Sequence, residues 1–433
     1  MNRSILHIAV PSIVSNITVP LLALVDTTIA GHLGAAAYLG AIAVGGMIFN
    51  MAYWLFGFLR MGTGGLTAQA YGRGADTETQ RVLLRSLAMA LAVGLALIVL
   101  QRPVVDTVFR FVEATPEVES MARTYYGILI WGAPAVLGLY SFTGWFLGMQ
   151  NARIPMWTAI VQNVVNIGVS LSLVVGLHWK VEGVATGTLV AQYAGLAMAV
   201  ALWRLRFKAC RWKEVRCGLF NKADLKNFFS VNRDIFLRTL CLIAVTTYFT
   251  SAGSAQGDLA LAANTLLMQF FVFFSYVMDG FAYAGEAIGG RCCGAHEGAA
   301  FRRLTRGLFR WGAVLVVLYT AVYAAFGTRI VGLLTDEVDV VRTACAFLPF
   351  AVAVPVASFA AFLFDGLFIG TTATREMLLS MLCAMLLFFL VIGIFPSGNT
   401  TLWTAFLVYL FSRGAVQTAL FHRILRKVGK ESA

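Results

Sequence analysis

Charge is scarce in this chain. Of its 433 residues only 12% are Asp, Glu, Lys or Arg, where soluble proteins carry about 25%. With 59% hydrophobic residues and a mean hydropathy of +0.78, that scarcity excludes a soluble domain and describes an integral membrane protein. The period-2 alternation of an outer-membrane barrel is also missing. Histidine is sparse: His7, His32, His178, His296 and His422 all fall near the ends of apolar segments. There is no HExxH and no GxSxG, so the signatures of zinc proteases and hydrolases are unmet. No catalytic set assembles, and the chain is not expected to be an enzyme. Seven cysteines, an odd number with no CxxC pair, argue against a disulfide framework or a zinc site. Cys292 and Cys293 are expected to be reduced, in a cytoplasmic loop. No small-residue cleavage site stands out after the first apolar run, which therefore reads as a spanning helix.

Long apolar runs, by contrast, are plentiful. Twelve segments reach spanning length, about 20 residues: 8–30, 36–62, 84–101, 121–148, 154–177, 181–203, 235–256, 260–287, 307–327, 344–369, 377–395 and 401–422. The fold class is all-α, with twelve transmembrane helices. The net charge of +12 concentrates between them. The run from Arg204 to Arg238 carries Arg204, Arg206, Lys208, Arg211, Lys213, Arg216, Lys222, Lys226, Arg233 and Arg238. Arg73, Arg81 and Arg85, then Arg291, Arg302, Arg303, Arg306 and Arg310, then Arg423, Arg426, Lys427 and Lys430 fall on the same side if there are twelve helices. The opposite loops carry Asp106, Glu113, Glu117, Glu119, Asp336, Glu337 and Asp339. The positive-inside rule then puts both termini and the central connection in the cytoplasm. Basic runs interleaved with spanning helices do not suggest nucleic-acid binding.

An offset of 222 residues aligns several landmarks. Phe142, Gly144, Phe146 and Gly148 match Phe364, Gly366, Phe368 and Gly370; Arg153 matches Arg375, Gly72 matches Gly294 and Arg81 matches Arg303. Six helices per half is an even number, so the halves share topology. Two six-helix lobes related by a pseudo-two-fold along the membrane normal follow. The lobes are 1–203 and 235–433, joined by a basic cytoplasmic linker, 204–234.

Polar groups inside apolar segments are functional-site candidates by default. Asp26 is the acid of the first segment, in PLLALVDTTIAG. Asn16 shares its side of the helix, and Pro11 and Pro20 interrupt the same helix and can kink it. On the fifth segment Gln162, Asn163, Asn166 and Ser170 form one stripe, read as lining a wet cavity. In the second half, Asn264, Ser275, Asp279 and Glu286 share a face, with Glu286 expected to reach water near the cytoplasmic end. Asp365 follows Ser358 by two turns. Arg60 reads as the main basic residue at depth, in need of a carboxylate partner.

These residues sit in motifs that resemble the multidrug and toxic compound extrusion (MATE) transporters, and more narrowly their DinF-like branch. The motifs are VDTTIAGHLG (25–34), FLRMGTGGLTAQAYG (58–72), LAANTLLMQ (261–269), MDGFAYAGEAIGGRCCGA (278–295) and FDGLFIGTTATREM (364–377). The resemblance implies two lobes around a central cavity in the bacterial inner membrane. It implies export of drug-like, cationic or amphipathic small molecules against inward flow of protons or sodium ions. No cofactor other than the coupling ion is implied, and a monomer is expected. In this branch the acid of the first helix couples the ion, and Asp26 matches it; Pro11 matches the proline linked to helix bending. The family's fifth helix carries an Asn followed four residues later by an Asp. Asn166 matches the first, but the second is Ser170. Coupling then rests on Asp26 with neutral partners, or has moved to Asp279 or Asp365. A different class, a lipid or lipid-linked precursor flippase of related two-lobe fold, calls for several cations lining the cavity, and only Arg60 lies deep in the first lobe.

Overall fold

The computed structural model describes all residues except 32–35, 111–113, 208–213, 216–217 and 431–433. His32, Glu113, Lys208, Cys210, Arg211, Lys213, Arg216 and Cys217 therefore lie outside the described residues. The described residues are mostly helical: α1 (Asn2–Gly31), α2 (Ala36–Leu55), α3 (Phe58–Gly72), α4 (Asp76–Val99), α5 (Gln101–Val108), α6 (Pro116–Leu129), α7 (Ala133–Gly148), α8 (Arg153–Leu171), α9 (Val181–Arg206), α10 (Lys222–Ser254), α11 (Asp258–Gly294), α12 (Gly298–Leu334), α13 (Val338–Gly370), α14 (Thr374–Ile394) and α15 (Asn399–Lys430). Among the described residues eleven stretches are long and apolar enough to span a membrane. With the 30-residue α1, they give the twelve expected.

Local sequence sets the ends. Thr115 caps α6, its hydroxyl accepting from the Val118 amide, with Pro116 at the first helical position and Glu117 and Glu119 in the first turn. A fixed φ and negative charge both suit that terminus. In α9, Glu182 opens the helix and Arg204 and Arg206 close it, the polarity that the helix dipole favours.

The 222-residue repeat is present in the backbone. Gly74 and His296 both have positive φ, 68° and 57°; so do Gln150 and Thr372, 61° and 51°. Each pair is 222 apart. Gly144 lies so close to α3 that a Cβ would sit 2.1 Å from the Arg60 carbonyl oxygen. Its counterpart Gly366 lies as close to α11, 2.0 Å from the carbonyl of Ala282.

The chain forms two compact units. One comprises residues 14–67 and 75–228, the other 1–13, 68–74 and 229–433. The first is built around clusters that include Phe49, Tyr125, Tyr126 and Ile130, and Phe142, Trp145 and Phe146. The second is built around Phe249, Phe388, Trp403, Phe406 and Tyr409. In the second unit α3 ends against α11: a Cβ on Gly72 would meet the Arg291 carbonyl at 2.1 Å, and one on Gly294 the Gln69 carbonyl at 2.0 Å. The Gln69 amide also donates to the carbonyl of Gly370 at 2.9 Å.

Two sequence expectations need correction. Cys292 and Cys293 belong to α11 rather than to a loop, because that helix runs on for 37 residues. Glu286 is 1% exposed and does not reach water. Its own backbone carbonyl lies under Gly370, so this part of α11, about two turns before the helix ends at Gly294, is packed rather than solvated.

Candidate ion-coupling site

In the first unit α1, α8 and α9 converge on Asp26. The Thr188 hydroxyl, on α9, lies 3.0 Å from Asp26 Oδ2. It accepts from Asn166 Nδ2, on α8, at 2.8 Å. Asp26 is 6% exposed, and Asn166 and Ser170 are fully buried. No ion pair to Asp26 occurs among the described residues. Among the described residues, Asp26 Oδ1, Asn166 Oδ1 and Ser170 Oγ are buried with no hydrogen-bond partner. A buried carboxylate without a cation is expensive, so this constellation calls for a proton or a cation.

Ser170 lies one turn beyond Asn166 and is pressed against α9. A Cβ on Gly187 would sit 2.0 Å from Ser170 Oγ. The missing second acid thus coincides with a tight α8–α9 contact. The rest of the α8 stripe divides between neighbours. Gln162, half-buried, packs on Gly195, where a Cβ would come within 2.6 Å of its Cγ. Asn163 Nδ2 donates to the carbonyl of Thr18 on α1 at 3.1 Å. Asn16 is half-buried on α1. Pro11 and Pro20 both lie inside α1, which stays one continuous helix.

The second-lobe candidates meet different fates. Asn264 exchanges amide hydrogen bonds with Asn399 at 2.7 and 2.9 Å and accepts from Trp403 Nε1 at 2.8 Å. Asp365, on α13, accepts from Arg238 on α10 and from Arg413 and Gln417 on α15, the last at 2.6 Å. Its charge is already matched. Asp279 is half-buried on α11 and acts electrostatically on the Arg413 guanidinium.

Arg60 is only half-buried, while Arg238 and Arg413 are 6% and 4% exposed. They, not Arg60, are the deepest of these cations. In the sequence Arg238 ends the continuous basic run that begins at Arg204; in the structure α10 begins at Lys222 and carries it into the unit. Arg413 and Thr188 were missed. The signal for Arg413 is its i, i+4 pairing with Gln417 on an apolar segment. Arg81 and Arg85 are more than topology markers. Arg81 donates to the carbonyls of Glu214 and Val215, and Arg85 to those of Gly218 and Leu219.

The MatE family model matches the chain twice, at residues 11–171 and 235–395. The chain belongs to the MatE family. It is 36% identical to DNA damage-inducible protein F of Escherichia coli over 98% of this chain and 92% of that protein. It is 19% identical to multidrug export protein MepA of Staphylococcus aureus, over 86% of this chain and 82% of that protein. Its fold matches an outward-facing multidrug resistance MATE family transporter with a TM-score of 0.87 at 17% identity, over 99% of this chain and 96% of the other. The two matched ranges start 224 residues apart, close to the offset of 222 read from the landmarks. This MatE-family chain is a multi-pass membrane transporter of two-lobe fold, not an enzyme.

Proposed function

We propose that this MatE-family protein is a secondary active antiporter that exports drug-like, cationic or amphipathic molecules in exchange for inward protons, through Asp26. One observation carries the reading: a buried carboxylate met by neutral groups, the Thr188 hydroxyl with the Asn166 amide beside it, and by no ion pair among the described residues. Charge and neutralisation at such a site change which packing of α1 is favoured, and so bias a two-state equilibrium between inward and outward access. A single carboxylate with a hydroxyl donor and few free oxygens suits a proton better than a hard cation, which takes many oxygen ligands. Likeness to proteins named for multidrug export supports the cargo class. The basic loops support cytoplasmic termini in the bacterial inner membrane. The flippase reading draws less support, because the charges of the deep Arg238 and Arg413 are taken by Asp365.

The test is efflux by Asp26→Asn in proteoliposomes under separate proton and sodium gradients. Loss of proton-driven efflux with normal expression is expected. Undiminished efflux by the variant refutes the coupling role, and wild-type efflux driven by sodium alone refutes the proton.

A further inference from the structure

We propose that Asn163 is a positioning residue, a latch that docks α1 on α8 and sets how readily α1 moves when Asp26 changes state. The inference rests on the reading of Asp26 as the coupling group. Both Nδ2 contacts of Asn163 are to backbone: the carbonyl of Ala159 one turn back in α8, and the carbonyl of Thr18 in α1, each at 3.1 Å. Thr18 lies between the two prolines of α1. Pro11 and Pro20 have no amide hydrogen, so the carbonyls of His7 and Asn16 lose their usual helical donors. Between them the Thr18 hydroxyl bonds back to the carbonyl of Ser15 at 2.6 Å, a pattern that loosens and bends helices. The change from one compact unit to the other, at Ile13 and Val14, falls in the same stretch.

Beyond that stretch α1 is held a second time. Asp26 meets Thr188 of α9 eight residues after Thr18, about 12 Å further along the axis. The two attachments lie on either side of Pro20. One depends on the state of a carboxylate; the other, amide to carbonyl, does not. Movement that carries α1 as one continuous helix away from α8 and α9 draws on the Asn163 bond as well as on the Thr188 contact. Asn163 therefore acts through α1 on the ease of loading Asp26. Around Asp26, α6 presents the Tyr125 phenol, on which the carboxylate acts electrostatically. Asn166 and Ser170 on α8 and Thr188 on α9 do not titrate.

The experiment uses the full chain in proteoliposomes, comparing Asn163→Ala with Asn163→Gln, which keeps an amide donor. In Asn163→Ala, amide hydrogen exchange within residues 14–31 is expected to rise about fivefold, the size of one net hydrogen bond. The pH of half-maximal efflux is expected to move up by about half a unit, with the KM for drug unchanged and both effects smaller in Asn163→Gln. Unchanged exchange in residues 14–31 overturns the latch. So does raised exchange with an unmoved pH profile, which marks a static packing bond, or a change in KM alone, which marks a cargo contact. Asn264→Ala, whose amide joins other helices, serves as the control for general loosening. The exchange measurement decides the latch even where Asp26→Asn exports normally and the coupling reading fails.

Discussion

Thr188 joins Asp26 and Asn166, residues of helices far apart in sequence, through one hydroxyl: it lies 3.0 Å from the carboxylate and 2.8 Å from the amide that donates to it. Replacing Thr188 by Val keeps the shape and strips both neighbours of a partner. An unsatisfied buried polar group costs about 1–3 kcal/mol. Thr188→Val is expected to melt several degrees lower in detergent and to export poorly, while Thr188→Ser stays close to wild type. Thermal unfolding and drug efflux, measured on the same preparations, check this.

Ser170 Oγ is buried with no hydrogen-bond partner among the described residues. Ser170→Ala is therefore expected to be neutral within about 0.5 kcal/mol and to keep efflux. Ser170→Asp forces a carboxylate against Gly187, and overpacking alone costs about 1–3 kcal/mol. Lower expression and a lower melting temperature for the acid, but not for the alanine, are the expected results.

Asp365 ties α10, α13 and α15 together through Arg238, Arg413 and Gln417. Asp365→Asn leaves two buried guanidinium groups without their carboxylate. Breaking a buried pair in this way costs about 3–5 kcal/mol. The variant should accumulate poorly in the membrane. Adding Arg413→Met to Asp365→Asn is expected to recover part of the loss, as measured by the melting temperature of the purified double variant.

Asn264 and Asn399 satisfy each other. Asn399→Ala leaves Asn264 Nδ2 without its acceptor, and Asn264→Ala strips both the Asn399 amide and the Trp403 indole of a partner, each unsatisfied group costing about 1–3 kcal/mol. Replacing both by Ala is expected to cost less than the sum of the two single changes, the Trp403 indole losing its acceptor in the double variant as it does in Asn264→Ala. A double-mutant cycle on thermal unfolding reads the coupling directly; additive costs would show that the amide pair does not act as a unit.

The twelve spans and the repeat were legible because apolar length and a constant offset survive without any knowledge of packing. Asp26 was legible for the same reason: an acid inside an apolar run is conspicuous. Its partners were not. Thr188 is an unremarkable residue on an apolar helix, 162 positions away, and only helix rotation brings it to Asp26. Periodicity put Asp365 and Asn264 on inner faces, but it cannot tell a face that meets a cavity from one that meets another helix. Both proved to be tied to side chains of neighbouring helices. Arg238 was hidden by company, since a run of basic residues reads as loop until the helix that carries it is seen.

The crossing at Gly72 and Gly294 has a different kind of consequence. Gly72 rests on the carbonyl of Arg291 and Gly294 on that of Gln69, so residue and partner exchange roles at the 222-residue offset. That reciprocity is the mark of an isologous contact, one in which a surface is its own complement. In a dimer of identical halves, one substitution would strike both copies of the contact at once. In a single chain each copy mutates alone, and the two can drift apart. The two copies differ in this chain: Gln69 reaches out to the Gly370 carbonyl and the Thr372 hydroxyl, while the equivalent position is an arginine, Arg291.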